Sequence, residues 1–189
     1  MQVFISLGHN NAFNFINDHG KIRLSAYRDQ GAVSGSDTEF KYSSKIAKEI
    51  QKLWKIPGVD LKIVPEKLNL QDRIKYINAN SFNDDICIEL HMDSATPAAL
   101  GCSTWYLSAS KYAEDKAKVF QMEYTKVTGL KWRWVHGDLS NRLTRLAIVR
   151  DTRPLAFLLE MGFISNENDR NLVWTKAASG IYSAIQKIL

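Results

Sequence analysis

With 189 residues, 45% of them hydrophobic and 24% charged, the chain fits one globular domain with a sizeable core, so a single domain over residues 1–189 is expected. Its longest apolar runs fall far short of the ~20 residues of a membrane span, and Met1 to Leu7 has neither a basic leader nor a cleavage site. Membrane insertion and a signal peptide are therefore not expected, while a net charge of +5 and a pI near 9.1 favour polyanionic partners.

The two cysteines, Cys87 and Cys102, sit in apolar, strand-like surroundings and are expected as buried free thiols, so synthesis in the cytoplasm is expected. Val3 to Leu7 predicts a short buried strand, closed by the turn-forming Gly8-His9-Asn10-Asn11, which puts His9 at the strand's carboxyl end. Asn10 to Asp37 lacks periodicity and predicts a long loop on the rim of a site. Asp37 and Thr38 are N-cap residues for a helix carrying Phe40, Ala47, Ile50, Leu53 and Trp54 near helical spacing, with Glu39 in its first turn and Pro57-Gly58 as its stop. Leu61 to Val64 predicts a second strand and Leu70 to Asn80 a second helix.

Asp85 to His91 repeats the opening pattern, an apolar run that delivers a histidine to its end, and a period of two sets Cys87, Glu89 and His91 on one face. Cys102 to Leu107 predicts a strand, Ala113 to Val127 a helix ended by Gly129, Lys131 to Gly137 an irregular stretch, and Leu146 to Val149 a strand leading to Arg150. Leu155 to Leu159 is long enough for a strand buried on both faces, and it ends on Glu160. Asn166 to Val173 and Lys176 to Leu189 predict two closing helices. Alternating strands and helices give the α/β class, a mainly parallel mixed sheet flanked by helices on both faces, with ligands expected at the strands' carboxyl edge.

That edge gathers His9, Glu39, His91 and Glu160. The first three are ligand types that catalytic zinc uses, with a fourth position left for water, although no short-spaced zinc signature is present. Ile5-Ser6-Leu7-Gly8-His9, Glu39 opening a helix, Leu70 through Arg73 to Asn80, Ile88-Glu89-Leu90-His91 and Leu159-Glu160-Met161-Gly162-Phe163-Ile164-Ser165-Asn166 occur in an order that resembles the zinc-dependent N-acetylmuramoyl-L-alanine amidases. The similarity is to the amidase type 3 family of bacterial autolysins and phage endolysins, and it runs from Val3 to about Val173.

This resemblance implies a peptidoglycan hydrolase that cuts the amide between the lactyl group of muramic acid and L-alanine. It implies one zinc ion on His9, Glu39 and His91, with Glu160 as general base and then general acid. Arg150 and Asp93 are candidate substrate-binding residues, Arg150 for an oxyanion or a peptide carboxylate. Muramyl peptide is the expected partner, with anionic wall polymers beside it, and a phage or prophage lysin acting at the wall after release fits the lack of a signal peptide. The chain departs from the common family pattern at Asn10 and Asn11, where glycines are usual, at Glu89, where many members have serine, and at Asp93, where asparagine is frequent. Glu89 is thereby a rival base, or a residue that orients a ligand.

His19 and His136 lie in glycine-containing turns and are not expected at the metal, and Cys87 lies roughly 13 Å back along its strand from His91 at ~3.3 Å per residue. Lys131, Arg133, Arg142, Arg145, Arg150 and Arg153, with Trp132 and Trp134 interleaved, motivate a second reading as a nucleic-acid-binding protein. Their spread over an irregular segment and a strand favours a solvated basic surface, or one that holds acidic wall polymers, so no nucleic acid is expected. A zinc carboxypeptidase-like enzyme, or a relative that binds peptidoglycan without cutting it, keeps the same fold and site.

Overall fold

The computed structural model of the chain describes residues 1–9, 13–18, 21–140 and 146–189. In chain order it runs β1 (Gln2–Leu7), β2 (Phe13–Asp18), β3 (Lys21–Arg28), β4 (Val33–Ser34), β5 (Asp37–Thr38), α1 (Glu39–Leu53), β6 (Asp60–Ile63) and α2 (Leu70–Asn80). It continues with β7 (Ile86–Asp93), β8 (Cys102–Tyr106), α3 (Lys111–Thr128), β9 (Trp132–Gly137), α4 (Ala147–Asp151), β10 (Leu155–Phe163) and α5 (Glu167–Ile188). Six strands form one sheet in the order β6-β1-β7-β10-β8-β9, parallel throughout except where β8 runs against β10.

The central strands are apolar on both sides because both sides are covered. Ile5, Leu7, Ile88, Leu90, Phe157 and Leu159 pack under α1, α3 and α5, whose Ile46, Ile50, Phe120, Tyr124, Ile181 and Ile185 complete the larger core. Phe4, Cys87, Ala156 and Leu158 face the other way, against Ile77 of α2 and Ile148 and Val149 of α4. Side chains fix the helix starts: Thr38 Oγ1 accepts from Lys41 N–H, Asn69 from Asp72, Ser110 from Ala113 and Asn166 from Asp169, each cap worth about 1 kcal/mol. Gly129, at φ 76°, closes α3 in the left-handed conformation that only glycine adopts freely.

Six predicted elements need correction. The expected loop from Asn10 to Asp37 contains an antiparallel pair, β2 with β3, and a short second pair, β4 with β5. Leu146 to Val149 is not a strand: Ile148 and Val149, consecutive in sequence, both face the smaller core, which one turn of helix allows and a strand does not. Lys131 to Gly137 is regular, an edge strand whose aromatic and β-branched residues suit it to β9. The two closing helices are one, continuous through Trp174 and Thr175. Strand β10 does not stop at Glu160 but continues through Met161-Gly162-Phe163, whose burial prolongs it by three residues. No helix among the described residues is long and apolar enough to cross a membrane.

Candidate metal centre

Three elements converge at the carboxyl edge of the sheet. His9 follows β1, Glu39 is the first residue of α1, and His91 lies near the end of β7, directly beside Glu160 of β10 in the parallel register. The Glu39 carboxylate stands between the two imidazoles, with Oε1 2.8 Å from His91 Nδ1 and Oε2 3.3 Å from His9 Nε2. Backbone N–H groups of Met92 and Ala32, each at 3.0 Å, donate to the same two oxygens and hold the carboxylate between the rings.

The far nitrogen of each imidazole is also engaged by a carboxylate. His9 Nδ1 lies 2.6 Å from Asp29 Oδ1, and His91 Nε2 lies 3.1 Å from Glu89 Oε1. Glu89 is buried, at 2% exposure, and its second oxygen accepts from Ser6 Oγ at 2.8 Å and sits 3.4 Å from Arg73 Nε. The Arg73 guanidinium, equally buried, donates onward to the Gly8 carbonyl at 2.8 Å, tying α2 to the turn that carries His9.

Two glycines permit this packing. A Cβ on Gly8 would run into the His91 ring, and one on Gly31, whose φ is 67°, would strike the Glu39 carboxylate and the His9 ring.

Burial alone would raise the Glu39 and Glu89 carboxyls, but both lie below the ordinary range. For Glu39 the hydrogen bond and charge of His91 and the charge of His9 prevail; for Glu89 it is His91, Arg73 and Ser6. His91 itself is lifted well above the usual histidine value, because Glu39 and Glu89 outweigh the burial that works to lower it. Glu160 goes the other way. Burial pushes its carboxyl up to about 8, with Glu39 and Asp93 adding to the rise against the pull of His91 and Arg133.

A divalent cation fits these residues on three counts. One ligand atom from each of His9, Glu39 and His91 lies within 4.8 Å of the others. Two nitrogens and a carboxylate oxygen form a donor set of catalytic zinc, and the carboxylates behind both imidazoles are the usual support of metal-bound histidine. Finally, Glu160 Oε2 is buried without a hydrogen-bond partner among the described residues, which a folded chain tolerates where a further group is to be received. Beside the cluster opens a cavity of about 420 Å³, walled by Asn69, Leu70 and Arg73 of the α2 end and by Leu146, Ala147 and Ile148.

Residues 3–187 match the family described as N-acetylmuramoyl-L-alanine amidase. The chain belongs to that family. Over 151 residues it is 26% identical to the probable cell wall amidase LytH of Staphylococcus saprophyticus, an alignment that takes in 78% of this chain and 48% of that protein. It thus spans about half the length of the curated relatives it matches. Among solved structures it resembles the catalytic domain of CwlV, an amidase of the same name from Bacillus (Paenibacillus) polymyxa var. colistinus, with a TM-score of 0.74 at 23% identity over 98% of this chain and 96% of that one. It also resembles the catalytic domain of the CD27L endolysin targeting Clostridia difficile, with a TM-score of 0.72 at 22% identity over 100% and 96%. These likenesses show a shared fold, the single α/β architecture with a mainly parallel mixed sheet.

Of the residues singled out in the sequence, His9, Glu39, His91 and Glu160 come together. Asp93 lies at the end of β7, where Arg133 Nη1 contacts its Oδ2 at 2.7 Å. Arg150 stands on α4 instead of on a neighbouring strand, with its guanidinium against Asp151 at 2.7 and 2.8 Å and outside the cavity wall. Cys87 is buried in the smaller core and its thiol is pushed up by that burial, while Cys102 is pushed up to about 12. His19, Asn10, Asn11, Arg142 and Arg145 lie outside the described residues. His136 is on β9, against two tryptophans.

Sequence reasoning missed Asp29 and Arg73. Nothing distinguishes Asp29 in a polar stretch, but Arg73 carried a signal: it lies one helical turn before Ile77, on the face that α2 turns to the core, where an unpaired charge is not tolerated.

Proposed function

We propose that residues 1–189 form one catalytic domain that hydrolyses the amide between N-acetylmuramic acid and L-alanine of peptidoglycan, with zinc held by His9, Glu39 and His91. The observation that carries this reading is the juxtaposition of that cluster with the unpartnered oxygen of Glu160, in a chain of the amidase family. Zinc bound there would supply a Lewis acid for the lactyl carbonyl and bring the pKa of a water toward ~7.

Everything else in the reaction falls to the chain. Asp29 and Glu89 fix the rings of His9 and His91 so that Nε2 of one and Nδ1 of the other face inward. Glu160, set beside His91 with one oxygen left unpartnered among the described residues, accepts a proton from the attacking water and returns it to the departing alanine nitrogen. Engagement of the Glu89 oxygens by His91, Ser6 and Arg73 supports Glu160 over Glu89 as the base. The cavity between α2 and α4 receives the stem peptide, and the Asp93 carboxylate serves to hold Arg133 in place of a direct substrate contact. A phage or prophage lysin is the setting we favour, supported by the likeness to CD27L.

Metal content of the purified chain and the products it releases from isolated bacterial walls test the reading together. About one zinc per chain, and stem peptides with free L-alanine amino termini, are expected. Peptides shortened at their carboxyl ends would instead identify a carboxypeptidase on this fold, and metal-free protein that lyses walls would remove the proposed role of the cluster.

A further inference from the structure

The sheet face that carries Glu160 does not end at β10. Register sets Glu160 beside Ser103 of β8 and Ser103 beside Trp134 of β9; one step back, Leu158 lies beside Trp105 and Trp105 beside His136. Residues paired across strands point to the same face, so Trp105, His136 and Trp134 continue laterally from the candidate metal centre toward the β9 edge. At roughly 4.8 Å per strand, Trp134 stands about 10 Å from the Glu160 strand.

These rings form a continuous strip. Trp105 and His136 have centroids 5.5 Å apart, as have His136 and Trp134, and Trp134 is 37% exposed. A bulge makes the strip: Cys102 pairs with Trp132 and Ser103 with Trp134, leaving Arg133 as the extra residue. Trp132 consequently lies in a separate groove with Val119 and Met122 of α3, while Trp134 turns to the face of the site. The Arg133 guanidinium stacks over Trp134 at 3.8 Å and over Phe163 at 4.4 Å and is anchored by Asp93, which fixes the outermost ring before anything binds.

We infer that this strip is a subsite for the sugar rings of the glycan strand. The inference rests on the amidase reading, since it is the position of the scissile amide at Glu160 that requires the rest of the polymer to cross β8 and β9. A row of ring faces with polar edges matches the alternating apolar and hydroxyl faces of pyranoses. Among the described residues of the strip the cation is Arg133, already engaged by Asp93, which favours sugar over single-stranded nucleic acid. Peptide goes to the α2–α4 cavity on one side of Glu160, and glycan goes to the aromatic strip on the other.

The test uses the full chain and a β-1,4-linked N-acetylglucosamine hexamer as probe, with binding followed by tryptophan fluorescence and by NMR. Trp134→Ala should weaken binding about ten-fold and Trp134→Tyr, which retains a ring, should largely restore it. On long-strand wall relative to a single-sugar muramoyl peptide, the Ala variant's kcat/KM should fall by a further factor of about ten. Absence of hexamer binding by the native chain, equal binding by the Ala variant, or displacement of the hexamer by a single-stranded DNA oligomer would each overturn the subsite. Hexamer binding that depends on Trp134 in a chain that cuts no amide would retain the strip and remove the amidase reading; cleavage insensitive to Trp134 would do the reverse.

Discussion

Glu89 and Glu160 lie on the same sheet face, on adjacent strands, and both are buried, yet their surroundings set them in opposite directions. Glu89 is held by His91, Ser6 and Arg73 and stays ionised. Glu160 has an oxygen with no partner among the described residues, and its carboxyl is raised to about 8. Two carboxylates whose environments push them apart are suited, on the proposed reading, to holding and to proton transfer respectively. The difference lies in partners more than in depth, so it can be broken at either residue.

The largest effect should come from Glu160→Gln. If Glu160 is the proton carrier, kcat on wall substrate falls by about 10² to 10⁴ with zinc content unchanged, because the amide preserves shape but accepts no proton. Turnover within a factor of a few of the native chain would return the role to Glu89. The same substitution has a second readout, in stability. A carboxyl raised in the folded state is bound to its proton more tightly there than in the unfolded chain, so it costs stability as pH climbs from about 4.5 toward 8. Denaturant unfolding of metal-stripped protein should show the native chain losing as much as about 5 kcal/mol relative to Glu160→Gln over that interval, and no relative change below it.

Glu89 and Glu39 contribute with the opposite sign. Their depressed carboxyls favour the folded state above the unfolded glutamate value, and that contribution disappears as pH falls through their lowered folded values. Arg73→Ala removes one partner of the buried pair and leaves the Glu89 charge short of compensation, at an expected cost of about 3–5 kcal/mol. In the double variant with Glu89→Leu the loss should shrink, since an apolar pair needs no compensation. Additive losses would mean that the 3.4 Å contact carries no coupling.

Much of the fold was legible because its signals are local. The α2 span coincides with the predicted Leu70–Asn80, and β1, β6 and β7 follow from apolar runs bounded by turns. Leu146 to Val149 misled because four apolar residues are compatible with strand or helix, and only the core they face decides. At the site, His9, Glu39 and His91 were visible as chemistry delivered to the ends of elements. Asp29 and the Arg73–Glu89 link were not, because their meaning arises from contacts 20 and 16 residues apart along the chain. The aromatic strip was hidden for a similar reason: Trp132 and Trp134 look equivalent until the bulge at Arg133 sends them to opposite faces.

The smallest effect bears on the role of Glu89 at the His91 ring. Its Oε1 faces His91 Nε2, leaving Nδ1 turned toward Glu39 and the candidate metal position. Glu89→Gln keeps an acceptor for that nitrogen but removes the charge that makes the imidazole a stronger donor to a cation, so zinc affinity measured against a chromogenic chelator should fall about 10- to 100-fold. Saturating zinc should then restore most of the turnover, which it cannot do for Glu160→Gln. A fall in turnover that persists at saturating zinc would place Glu89 in the chemical step itself and collapse the contrast between the two glutamates; a loss confined to zinc affinity makes Glu89 the support of a ligand and leaves Glu160 as the proton carrier.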